Sequence, residues 1–191
     1  MDLKSSVSVA EFFHQAVCST LERQGVAASE PTEFYLVNLL SDFAHTPVDD
    51  EPLALKLARA VDASPDDRAN QLKNVGDTSL YVSGFFAESL SRKLIDVDYY
   101  IQVGCSAYAE LSHFFKTYRR SAIFSDVYGE LGDKFREFVD VFGEVAEMTS
   151  IGGSNASAVS LYERWLRRGT PSDWMERRLR ELGLLPPKEV H

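Results

Sequence analysis

The sequence predicts an all-α protein: an antiparallel, bundle-like domain of about seven to nine helices with a C-terminal helix pair. Three observations predict it. Apolar residues recur at i, i+3, i+4 and i+7 through most of the chain. No stretch alternates with the period of two that a half-buried strand requires. Helix start and stop signals bracket nearly every apolar stripe.

Taken in order, Ser8-Val9-Ala10-Glu11 has the spacing of a capping box, and Val9, Phe12, Phe13, Ala16, Val17 and Leu21 follow as a stripe that Gly25 stops. Ser29 and Pro31 suit a cap and a first turn, opening a second helix with Phe34, Tyr35, Val37, Leu39, Leu40 and Phe43. Residues 44–52 read as a loop carrying Asp49, Asp50 and Glu51, and residues 53–60 as a short helix. Ser64-Pro65-Asp66-Asp67 combines a cap, a pre-set φ and two carboxylates facing a helix dipole, so it starts a long helix.

That helix enters the stretch on which the domain is expected to centre, Val75 to Glu110, read as two long helices joined near Ile95–Asp96. Leu72, Val75, Ser79, Val82, Ser83, Phe86, Leu90 and Leu94 fall on one face, with Tyr81 and Phe85 opposite, which predicts burial on two sides. Gly76, Ser79, Ser83 and Ala87 leave shallow grooves for close approach by another helix. Gly84 costs roughly 1 kcal/mol relative to Ala in mid-helix, so a neighbour or a ligand is expected to need its space. In the second helix Tyr100, Val103, Ala107, Leu111, Phe114 and Tyr118 form one side, widened by Gly104, Tyr108 and Phe115. Gln102, Ser106, Glu110, His113 and Thr117 form its polar back.

Ile123 to Val145 continues the helical pattern as one helix or two, with Gly129 and Gly132 as possible breaks. The expected organisation is a helical core domain over 1–148, a Gly/Ser linker over 149–157, and a C-terminal helical arm over 158–191 packed on the core.

Composition excludes several classes. A net charge of −9 argues against nucleic-acid binding, which needs a basic surface to displace counterions, and against docking on an anionic membrane. Two cysteines, Cys18 and Cys105, do not make a disulfide scaffold, and the N-terminal stretch does not read as a secretory signal, so cytoplasmic residence is expected. No membrane span and no cofactor are expected.

Three constellations bear on function. Glu11…His14 and Glu110…His113 match the Glu-x-x-His spacing of di-iron carboxylate bundles, but both pairs fall on polar faces, so a metal is not favoured. Asp77, Tyr81, Gly84 and Glu88, with Tyr100 and Tyr108 across the helix pair, are candidates for a ligand pocket, against the plainer reading that the tyrosine hydroxyls satisfy buried carboxylates. The charge is asymmetric: residues 161–191 hold 7 Lys/Arg against 5 Asp/Glu, and the remainder 13 against 24. Trp165, Arg167, Arg168 and Trp174 in that basic end are candidate interface anchors, weighed against simple packing of the helix pair on the acidic body. The expected function is a regulatory or scaffolding module acting through protein–protein association, as a homodimer or with another protein. The alternative is a small-molecule or metal-binding bundle protein, or an enzyme, using the buried Tyr/carboxylate site.

Overall fold

The computed structural model describes residues 8–46, 48, 51–87, 96–149, 176, 179, 180, 183 and 185. Among them are seven α-helices and no strand: α1 Val9–Gln24, α2 Glu30–His45, α3 Leu53–Val61, α4 Pro65–Phe85, α5 Val97–Phe114, α6 Ala122–Asp133 and α7 Phe135–Thr149. The all-helical, bundle-like expectation holds. By internal contacts the chain divides into the units Met1–Ala146 and Glu147–His191, and everything below concerns the first. Glu88, Trp165, Arg167, Arg168 and Trp174 lie outside the described residues, as do the Gly/Ser linker beyond Thr149 and most of the C-terminal arm.

Local signals set the helix ends. Ser8 Oγ accepts from Glu11 N at 3.1 Å. Gly25, at φ 66°, returns its N–H to Glu22 O while Val26 N reaches Leu21 O, the left-handed stop for which glycine carries no Cβ penalty. Ser29 and Ser64 cap α2 and α4, each with proline in the first turn. Glu130 of α6 pins the start of α2: it accepts from Ser29 N, from Ser29 Oγ at 2.7 Å and from Lys134 Nζ at 2.8 Å. Partial burial alone would raise the Glu130 pKa, but the bonds from Lys134, Thr32 and Ser29 outweigh it and lower it to about 2.

The core gathers around α4 and α5. Helix α4 packs on α2, α3 and α5, and α5 packs on α6. Every residue from Val75 to Gly84 is buried, more than the two-sided burial the stripes predict. Leu36 and Leu40 of α2, Ile101 and Leu111 of α5, Leu131 of α6 and Phe138 and Phe142 of α7 close the core around it. The polar back of α5, Gln102, Ser106, Glu110 and His113, is exposed as expected.

Several expectations are corrected. Helix α4 ends at Phe85, and Phe86, assigned to its inner face, is 42% exposed at the C-cap. The inner face of α5 holds Gly104, Ala107, Tyr108 and Leu111 as expected, together with Ile101, while Tyr100, Val103 and Phe114 are only partly buried. Tyr118 is 69% exposed because α5 runs into a π-helical turn, Phe115–Arg119. Its i→i+5 bonding, with Arg120 N–H reaching Phe115 O, widens the turn and carries later residues off the stripe. The long segment after Arg120 is two helices, and the break falls at Lys134 rather than at either glycine. Gly132 instead faces the α5 backbone near Cys105 and Ala109. Phe12 and Phe34, placed on apolar stripes, are exposed.

Candidate functional site

Asp77 organises the site. It is buried in the middle of α4, and both of its oxygens are occupied. Oδ1 accepts from the Tyr35 hydroxyl of α2 at 2.6 Å and from the Tyr108 hydroxyl of α5 at 2.8 Å. Oδ2 accepts from Lys73 Nζ, one turn earlier on α4, at 2.5 Å. Three helices thus meet on one carboxylate. Gly76 makes the geometry possible, since a Cβ there would lie 2.5 Å from the Tyr108 ring. The Tyr35 ring packs edge-on against both Tyr108 and Tyr128, and Tyr108 and Tyr128 stack on each other.

The electrostatics follow from burial and from that charge. Burial raises the Tyr35 pKa, and the neighbouring Tyr108 and Asp77 raise it further. Tyr108 is raised well above the usual phenol range by burial and then by Asp77. Burial would lower Lys73, but the charge and hydrogen bond of Asp77 outweigh it, so the ammonium is held above its usual range. Lys73 and the two phenols thus all donate to Asp77.

One side of this cluster opens to a cleft of about 500 Å³ between α2 and α4. Tyr35, Leu39 and Phe43 supply its apolar wall, and Asn38, Asp42, His45, Thr46, Lys73 and Asn74 its polar rim, with Asp77 at the base. Several rim groups are already committed. Asn74 Oδ1 accepts from Lys56 Nζ at 2.7 Å. His45 Nδ1 donates to Ser41 O at 2.7 Å, which leaves Nε2 as the acceptor of the neutral ring. Lys73 Nζ lies 5.4 Å from the centre of the Tyr35 ring, a cation–π contact.

Of the described residues expected to line a pocket, Asp77 is the one that lines this cleft. Tyr108 donates to Asp77 while fully buried. Tyr81 is stacked between Phe43 and Phe85 and so backs the cleft wall without facing the cleft. Gly84 serves a helix crossing: a Cβ there would meet Phe142 Cβ and Val139 O of α7. Tyr100 packs edge-on against Tyr99 and is not among the lining residues. Tyr35, Lys73, Asp42 and His45 were missed. The Lys73–Asp77 spacing of four was a readable helix-pair signal, whereas Tyr35 had been read only as part of an apolar stripe. Glu11, His14, Glu110 and His113 are all exposed: His14 lies 3.9 Å from Cys18 Sγ, and Glu110 accepts from Arg68 at 2.8 Å. Among the described residues no cluster of three or more His, Cys, Asp or Glu side chains is arranged to hold a metal, and no helix is long and apolar enough to cross a membrane.

Compared with protein-family models, with characterised proteins and with solved structures, the chain matches none.

Proposed function

We propose that the protein is a non-catalytic binding module whose recognition site is the α2–α4 cleft. The saturation of Asp77 carries this reading. A general acid or base needs a pKa near the working pH and a proton free to move. Asp77 instead accepts three hydrogen bonds, and the donors Tyr35, Tyr108 and Lys73 all hold their protons more tightly than usual. Such a network stiffens the cleft floor, and a pre-formed pocket with an apolar wall and a few polar groups suits a small ligand. Two free thiols, Cys18 and Cys105, support a reducing, cytoplasmic setting.

The test is a thermal-shift screen of a small-molecule library on the wild type and on Asn38→Trp, which fills the cleft mouth from an exposed position. The variant should melt close to the wild type, as exposed substitutions usually change stability by less than about 0.5 kcal/mol. Compounds that raise the wild-type melting temperature should lose their effect on it. A screen without hits, or hits indifferent to the tryptophan, would overturn the reading.

A second reading, self-association, rests on a different surface. Tyr118, Phe114, Phe115 and Phe124 form a continuous chain of ring contacts around the end of α5, with Tyr118 and Phe124 69% and 51% exposed. Lys116 and Arg120 beside them have no ion-pair partner among the described residues, in a chain of net charge −9. A basic aromatic rim on an acidic molecule suits a second copy of the chain. Light scattering at high concentration should return the mass of a dimer for the wild type and of a monomer for the double variant Tyr118→Ser, Phe124→Ser; a monomeric wild type removes this reading.

A further inference from the structure

We infer that the cleft selects a small organic cation, a ligand carrying an alkylammonium or guanidinium group. This rests on the binding reading above and adds the charge of the ligand. Besides the Tyr35 phenol, four ionisable side chains line the cleft: Lys73, Asp77, Asp42 and His45. Lys73 and Asp77 face each other at 2.5 Å and cancel as a pair. Asp42 is exposed, and its carboxylate has no hydrogen-bond or ion-pair partner among the described residues. It is felt within the cleft all the same, since its charge helps to raise Lys73. Of the charged groups that line the cleft, Asp42 is the carboxylate left unpaired among the described residues.

The backbone adds to it with the same sign. Helix α2 ends at His45, so the carbonyls of its last turn lie at the rim that His45 and Thr46 form. Thr46 N returns to Asp42 O, and among the described residues no backbone N–H returns to the carbonyls of residues 43–45. The carbonyls of a last helical turn carry a partial negative charge that favours cations. The apolar wall fits the same ligand: Lys73 already rests over the Tyr35 ring, and Phe43, firmly stacked on Tyr81, offers a second aromatic surface at the wall. An anion would meet Asp42 and the helix end, and the ammonium it needs is already paired.

The experiment is titration calorimetry of the full chain with size-matched alkylamines, diamines, alkylguanidines, carboxylates and polyols, repeated with Asp42→Asn and, as a charge control, with Asp126→Asn. Asp126 is an exposed carboxylate of α6 that does not line the cleft. Amines or guanidines should bind, more weakly at high salt; carboxylates and polyols should not. Asp42→Asn should weaken binding at least about tenfold, roughly the effect of losing one charge-assisted hydrogen bond, while Asp126→Asn leaves it within about twofold. If carboxylates or polyols bind better than the cations, or if Asp42→Asn changes nothing, the charge assignment is wrong, although a ligand that Asn38→Trp excludes would keep the cleft as the site. Should no cation bind, the inference fails whatever the library screen returns.

Discussion

Asp77→Ala should lower the unfolding free energy by about 3–5 kcal/mol, the usual range when one partner of a buried charged network is deleted. Tyr108 is fully buried and donates to Asp77, so without the carboxylate its hydroxyl is left with the Tyr35 oxygen as its neighbour and loses a charge-assisted bond. Tyr35 loses its acceptor as well, and Lys73 its counter-charge. The two phenols share Oδ1 and can turn toward each other, which limits the loss to that range. Urea denaturation measures it, and a loss below about 1 kcal/mol would show that the carboxylate is dispensable to the fold. Tyr108→Phe should cost less, about 1.5–3 kcal/mol, because Asp77 keeps two donors. The same network fixes the sign of the alkaline response. Tyr35, Tyr108 and Lys73 all have raised pKa values in the folded state, so on alkalinisation the unfolded chain releases protons first. Stability is therefore full below about pH 10 and falls as pH rises past the unfolded values near 10; a denaturation midpoint that rose from pH 9 to 11 would contradict it.

Gly84→Val should cost about 3 kcal/mol, at the upper end for overpacking. Helix propensity argues the other way, since any side chain improves on glycine in mid-helix by up to about 1 kcal/mol. Sterics decide, because the first added atom meets Phe142 Cβ and Val139 O of α7. Those atoms belong to the backbone or are bonded directly to it, so no rotamer change moves them aside. Shortening the neighbour with Phe142→Ala keeps the offending Cβ and should not rescue the variant. At Gly76 the nearest atoms to an added Cβ are those of the Tyr108 ring, whereas at Gly104 it would meet Ser79 Cβ at 2.9 Å as well as the Phe135 ring. A Gly84→Val protein with an unchanged melting temperature would mean that α7 does not sit against α4 as described.

The two halves of the site differ in how readable they were. Asp77 stood out as the one charged residue between Asn74 and Ala87, and Lys73 lay one turn before it. Tyr35 did not stand out, because its hydroxyl finds Asp77 across 42 positions and nothing local marks it as polar in use. Gly84 and Gly76 look alike in sequence, yet one admits a helix and the other a tyrosine ring. Tyr118 was misplaced because the π turn that displaces it carries no local signature comparable to a cap.

By itself the sequence determined the helical class, the starts at Ser8, Ser29 and Ser64, the stop at Gly25 and the central place of the α4–α5 pair. Those features depend on hydrogen bonds and periodicities spanning three or four residues, which neighbours along the chain dictate. Only the tertiary structure decided that Tyr35, Asp77 and Tyr108 converge, that Gly84 is filled by Phe142, and that a cleft opens between α2 and α4. Periodicity fixes the angle at which a side chain leaves its helix, but which partner waits at that angle depends on how the helices cross, and that is settled by packing the whole core at once.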